Sequence, residues 1–301
     1  MSKSKSQQIA EKTIFATFKI LKEAGGEMRG KDVVDKIRET VTFDEYESHR
    51  YEKTGYIRWE SILHFYTIDC MKAGFLRKNK GTWILTEEGE KAIKLGQEKL
   101  LVTATKLYRE WDGKRKKGAI EEGILEEDIT EVNTSQAQKA ILSQYEEEAY
   151  NGIRNFIVSK NPYEFQDLVA GLLIAMGYYI SDIAQRGPDG GIDIIAFTDP
   201  LGTKQPRIIV QVKHRPNDNV SSDEVQKLAG TLKRNTDVGI FVTSGTFSKP
   251  AVKEARESRE HIELIDFNRL TSLWQEYYVK MNDEQKNLLP LHPIYFLGSN
   301  E

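Results

Sequence analysis

Three polar residues interrupt apolar, strand-like runs in the C-terminal half of the chain: Asp193 in Ile192-Asp-Ile-Ile-Ala-Phe197, and Gln211 and Lys213 in Ile208-Ile-Val-Gln-Val-Lys213. A carboxylate inside an apolar strand is costly unless it is paired or bound to a metal. Side chains alternate along a strand, so Ile209, Gln211 and Lys213 share one face and Ile208, Val210 and Val212 the other. The short connection around Pro200-Leu-Gly202 favours an antiparallel hairpin, which would bring Gln211 and Lys213 toward Asp193. A carboxylate and an amide oxygen suit a hard divalent ion, Mg²⁺ first among them. A lysine beside such an ion would lower the pKa of an attacking water, position it, or stabilise charge on a pentavalent phosphate. The chemistry this set fits is hydrolysis of a phosphodiester, with one ion or two.

The elements that must position these residues alternate between helix and strand. Phe165, Leu168, Val169, Leu172, Leu173 and Met176 form an apolar stripe down one helix. Ser221-Ser-Asp-Glu224 reads as a capping box opening a helix to about Lys233. The run Val238 to Thr243 reads as a buried strand, followed by a helix from Ser248, a strand Ile262 to Ile265 and a closing helix through Trp274 and Tyr278. This predicts an α/β domain over residues 156–281, with a central mixed sheet flanked by helices.

Residues 1–98 read differently. Ile14, Phe18 and Leu21 mark one helix, Val33, Val34 and Ile37 a second, and Trp59, Ile62, Leu63, Tyr66 and Cys70 a third. Phe75-Leu76, a polar turn Arg77 to Gly81, and Thr82 to Leu85 then read as a hairpin before a last helix. That order is the pattern of a mainly helical winged-helix domain, whose third helix enters the major groove of DNA. Arg58, Lys72, Arg77, Lys78 and Lys80 would then face phosphates; otherwise they are a solvated surface. Residues 99–155, with Lys114-Arg-Lys-Lys117 and the acidic clusters Glu121 to Asp128 and Glu146 to Glu148, read as a charged helical linker, and 282–301 as a C-terminal tail, ordered or partner-binding.

The chain has 301 residues, enough for two domains, and 39% hydrophobic against 30% charged residues leaves each able to bury a core. The net charge of −3 argues against indiscriminate capture of nucleic acid, although the N-terminal third is locally basic. No apolar run approaches the roughly 20 residues a bilayer span requires, and the start lacks the apolar core of a signal peptide. The single cysteine, Cys70, reads as a core thiol and suits a reducing, cytoplasmic setting.

Other candidates have readings on both sides. His49, His64, His214, His261 and His292 lack metal-ligand spacing. His214 and Arg215 either touch a scissile phosphate or end the strand. Thr243-Ser-Gly245 either holds phosphate on backbone N–H groups or forms a tight turn.

Taken together, Tyr163-Glu-Phe-Gln-Asp-Leu-Val-Ala, Met176-Gly-Tyr, Gly190-Gly-Ile-Asp-Ile194, Gln211-Val-Lys213 and Val242-Thr-Ser-Gly245 resemble the Mrr restriction endonucleases. These form a Gln-X-Lys branch of the PD-(D/E)XK nucleases. The resemblance covers about residues 160–280, and residues 10–95 resemble the winged-helix domain often found ahead of it. It implies Mg²⁺-dependent cleavage of foreign double-stranded DNA, often methylated, as a type IV restriction activity. By the same resemblance the metal-binding acid is Asp193, the Gln-X-Lys pair is Gln211 and Lys213, and the turn glycines are Gly190 and Gly191. Asp189 either assists or simply forms the turn. The family often has Glu directly after Phe in the first helix, where this sequence has Gln166; Gln keeps an oxygen ligand and loses a charge. Cutting both strands needs two active sites, hence a homodimer or higher oligomer. A non-catalytic DNA-binding protein with a decayed nuclease fold, and a nuclease for branched or single-stranded DNA, are the rival readings.

Overall fold

The computed structural model describes residues 4–51, 55–79, 81–121, 131–184 and 192–295; for 111–121 and 131–140 it describes the backbone alone. The chain divides into two compact units between Gly152 and Ile153.

The first unit runs α1 (Lys5–Glu23), β1 (Glu27–Arg29), α2 (Gly30–Thr40), α3 (Glu45–Ser48), α4 (Arg58–Lys72), β2 (Leu76–Asn79), β3 (Thr82–Leu85), α5 (Glu87–Ile93) and α6 (Gln97–Glu121); α7 (Glu131–Val158) runs across the division. Ser4 caps α1 by accepting from the Gln7 backbone N–H, and Ile14, Phe18 and Leu21 bury its inner stripe completely. The expected helices and hairpin are present, and β1 adds a third strand to the hairpin in the order β1-β3-β2.

Two details depart from the sequence reading. The polar turn assigned to Arg77–Gly81 is shorter, because β2 continues through Asn79 and pairs with β3, Lys78 opposite Trp83. The stretch assigned to a linker from residue 99 starts inside the core: Leu100, Leu101 and Ala104 are buried with Phe18 and Leu63, and Thr105 Oγ1 donates to Asp69 Oδ2 at 2.8 Å. Their helical spacing supplies an apolar stripe that the charge runs further along conceal.

The second unit runs α8 (Pro162–Ala175), β4 (Tyr179–Ile183), β5 (Ile194–Phe197), β6 (Arg207–Lys213), β7 (Asn219–Val220), α9 (Ser222–Ala229), β8 (Asp237–Thr243), β9 (Thr246–Phe247), α10 (Lys249–Glu257), β10 (His261–Ile265), α11 (Phe267–Tyr277), a 3-10 turn (Tyr278–Lys280) and α12 (Asp283–Leu288). Five strands form one sheet in the order β10-β8-β6-β5-β4. β10, β8 and β6 are parallel, while β6, β5 and β4 are antiparallel, giving the mixed sheet expected. β4 was not anticipated; at the sheet edge all its residues but Ile180 are exposed, so no apolar period announced it.

Asn161 caps α8 by accepting from the N–H groups of Tyr163 and Glu164. Phe165, Leu168, Val169, Leu172 and Leu173 are buried as the stripe predicts. On the other side of the sheet Ile209 and Phe241 pack with Val225 and Leu228 of α9 and Ala251 of α10. Burying each such side chain stabilises the fold by roughly 1.5–3 kcal/mol. The first part of the expected tail belongs to this unit, since Gln285 Nε2 donates to Gly171 O at 3.3 Å and Trp274 Nε1 to Leu289 O at 3.1 Å. No helix among the described residues is long and apolar enough to cross a membrane.

Candidate active site

β6 lies in the middle of the sheet, hydrogen-bonded to β5 on one side and β8 on the other. Ile195 opposes Ile209 and Ile194 opposes Val210, where the regular register ends. Asp193 lies just ahead of β5 rather than within it, yet the pairing extends to it: its N–H donates to Val210 O at 2.9 Å. Its carboxylate Oδ2 accepts from the Val212 N–H at 2.7 Å, which fixes the acid against the strand carrying Gln211 and Lys213. Ile209 faces α9, and alternation carries Gln211 and Lys213 along that same side. Lys213, half-buried, pairs in register with Thr243, and its carbonyl accepts from the Ser244 N–H at 3.2 Å. The hairpin thus sets the Asp193 carboxylate against the strand that carries Gln211 and Lys213.

The most informative atom is Gln211 Oε1, which is buried and has no hydrogen-bond partner. A buried unpaired acceptor costs about 1–3 kcal/mol. An amide oxygen together with a carboxylate is a donor set for a hard cation. Among the described residues no group of three or more His, Cys, Asp or Glu side chains is placed to hold a metal.

Gln166 of α8 reaches the backbone beside Asp193 in an unexpected orientation. Its Nε2 donates to the carbonyls of Ala184 at 3.1 Å and Asp193 at 3.4 Å. The side chain expected to offer an oxygen ligand uses its nitrogen. Asp189, Gly190 and Gly191 lie outside the described residues.

Two further polar atoms are buried without partners, His214 Nδ1 and Ser244 Oγ. They follow the paired residues Lys213 and Thr243 at the ends of β6 and β8. His214 stacks near Phe165, with ring centroids 4.9 Å apart, and burial pushes its pKa down against the pull of the Val158 and Lys160 backbone. The Thr243-Ser-Gly245 segment is a tight turn in which the Ser244 N–H donates to Lys213 O and the Gly245 N–H to Thr243 Oγ1. A Cβ at Gly245 would come within 2.3 Å of Asp218 O and 2.4 Å of Arg215 O, so only glycine fits there. Arg215 pairs with Glu224 at 2.9 Å instead of standing free at the strand end.

Residues 157–274 match the family model of a restriction endonuclease domain, and residues 11–94 match that of the Mrr N-terminal domain. The chain belongs to the Mrr-like restriction endonuclease family. Its C-terminal unit thus carries the restriction endonuclease domain of that family, with a restriction-endonuclease-like fold. Two solved structures are similar to parts of it. The MspJI restriction endonuclease in complex with a 27-mer oligonucleotide is 20% identical with a TM-score of 0.32, covering 51% of this chain and 36% of that one. The DNA modification-dependent restriction endonuclease AspBHI is 19% identical with a TM-score of 0.36, covering 46% of this chain and 37% of that one. The Mrr-like chain therefore matches little more than a third of the length of either. A search of curated proteins gives no match.

In the Mrr N-terminal domain the five expected phosphate-facing cations are not equivalent. Arg77 is exposed and Lys72 half-buried, while Lys80 lies outside the described residues. The Arg58 guanidinium lies 3.8 Å from the centre of the Tyr46 ring and donates to Tyr46 O at 2.7 Å. Lys78 departs most from the expectation of a surface cation. Its Nζ lies 4.1 Å over the Trp83 ring and 3.4 Å from His64 Nδ1. Burial pushes it down to about 8, with the Glu147 charge pulling the other way. The physical reason is the strand: two residues beyond buried Leu76, Lys78 must share its inward face. Nor does α4 offer an exposed face, since every residue from Arg58 to Lys72 is buried or half-buried.

Proposed function

We propose that this protein is a Mg²⁺-dependent endodeoxyribonuclease that restricts foreign double-stranded DNA, methylated DNA in particular. The orphaned Gln211 Oε1, on the strand whose Val212 N–H binds the Asp193 carboxylate and one alternation from Lys213, carries the reading. A bound divalent ion would supply charge for the scissile phosphate and an acidified water. Asp193, its carboxylate oriented by the Val212 N–H, and Gln211, through Oε1, would hold that ion. Lys213 would orient the attacking water and stabilise charge building on the phosphate. Ile209 and Phe241, beside Gln211 on the same face, pack against α9 and α10 and keep the strand pair fixed. The helix and strand order of residues 5–93 supports a winged-helix domain for DNA contact, with Arg77 its exposed cation among those described. Cleavage of both strands calls for two copies of the chain.

The test is plasmid cleavage with and without Mg²⁺, on methylated and unmethylated DNA. Asp193→Ala and Lys213→Ala are each expected to reduce cleavage by about a thousandfold, the scale of losing a principal electrostatic group. Gln166 in place of an acid favours the second reading, a DNA-binding protein without catalysis. Equal DNA binding by wild type and variants, with no cleavage of any substrate, would establish that reading instead.

A further inference from the structure

Gln166 is only 7% exposed, and both of its hydrogen-bond partners, Ala184 O and Asp193 O, are acceptors. Only an N–H donor can satisfy them, which sets the orientation of the amide: its nitrogen is committed to the backbone. An ionised carboxylate in the same place would face two carbonyl oxygens with nothing to donate. The Ala184 N–H also donates to Asp193 O, at 2.8 Å. One buried amide therefore ties α8 to the backbone of Ala184 at the end of β4 and to that of the candidate metal acid Asp193.

We infer that Gln166 is a positioning residue that holds the backbone of Asp193 in place, and is not a weakened substitute for a metal-binding glutamate. The inference rests on Asp193 being the catalytic acid. A misplacement of about 1 Å at a reacting group can cost on the order of a hundredfold in rate, so holding this carbonyl is enough to matter. The two views of Gln166 part at the substitution that makes it resemble its relatives. If it were a poor ligand, Gln166→Glu would tighten metal binding and raise activity. As a backbone clamp, the same change breaks two hydrogen bonds and introduces like-charge repulsion close to Asp193.

The experiment compares wild type, Gln166→Glu, Gln166→Met and Asp193→Ala in the full chain. Mn²⁺ affinity is measured by calorimetry without DNA, plasmid cleavage gives kcat and KM at saturating Mg²⁺, and hydrogen exchange follows the Ala184 amide. Gln166→Glu is expected to bind Mn²⁺ no more tightly than wild type, with kcat reduced about tenfold or more and KM little changed. Gln166→Met keeps the size and removes the donor; it should lower kcat similarly and speed Ala184 exchange about tenfold, the equivalent of one modest hydrogen bond. Tighter Mn²⁺ binding by Gln166→Glu, or wild-type kcat in Gln166→Met, would overturn the inference. If Gln166→Glu does not fold, Gln166→Met decides. Full cleavage by Asp193→Ala sinks the catalytic reading separately. If wild type does not cut at all, that reading fails, and Ala184 exchange still decides whether Gln166 clamps this backbone.

Discussion

Among the described residues a buried polar cluster in the N-terminal unit and one at the ends of β6 and β8 in the C-terminal unit are organised in opposite ways. In the N-terminal unit Trp83 Nε1 donates to Glu147 Oε2 at 3.1 Å, Lys78 lies over the Trp83 ring, and His64 Nδ1 is within reach of the Lys78 ammonium. Gly30 leaves room for the Glu147 carboxylate; a Cβ there would collide with Oε1. Donors meet acceptors, and charge meets charge. In the C-terminal unit Gln211 Oε1, His214 Nδ1 and Ser244 Oγ are buried with nothing to bond. Polar groups that complete one another hold a fold together, whereas acceptors left over inside a well-packed sheet mark where something else is meant to bind. Both clusters are buried; only the second is chemically unfinished.

That contrast can be broken most decisively at Gln211. Gln211→Met removes the unpaired acceptor while keeping the volume, so it should abolish cleavage and at the same time stabilise the fold by about 1 kcal/mol, as expected when a strained functional group is removed. Plasmid cleavage and urea denaturation measure the two halves of the prediction. A variant that is less stable would mean that Gln211 already has its partner within the protein.

The N-terminal cluster should respond in the reverse sense. Glu147→Ala leaves the fully buried Trp83 N–H without an acceptor and should cost about 1–3 kcal/mol of stability by denaturation. Mn²⁺ affinity at the nuclease site should be unchanged. A loss of metal binding with stability preserved would overturn the assignment of this cluster to architecture.

A smaller effect should appear with pH. Lys78 titrates near 8 in the folded chain against 10.5 ordinarily, so below about pH 8 the full penalty of its buried charge is present. Between those values the unfolded chain holds more protons than the folded one, and this lysine's contribution to stability rises with pH. Denaturation from pH 7 to 10.5 should show that rise in wild type and a flatter profile in Lys78→Met. Identical profiles would place Lys78 in solvent after all.

The strands of the candidate site could be read from the sequence because alternation and a short hairpin are local rules. They sufficed to put Asp193 on one strand of the hairpin beside the strand of Gln211 and Lys213. The same rule, applied to Leu76 and Lys78, would have turned the lysine inward; labelling residues 77–81 a turn concealed it. Gln166 could be placed beside the site, but which of its two amide atoms faced Asp193 depended on a backbone carbonyl from a distant segment. Glu147 was hidden more completely. An acidic run on a charged helix looks like a solvated surface until the Trp83 indole is found against it.

The position of β6 has one more consequence. A strand bonded on both sides opens to solvent only when much of its unit opens, so the Gln211 and Lys213 amides should be among the last to exchange. Loss of cleavage on heating should then coincide with cooperative melting of the C-terminal unit, without an earlier phase in which the unit is folded and the site is frayed. Activity becomes a thermometer for that unit, whatever happens first in the helices of the other.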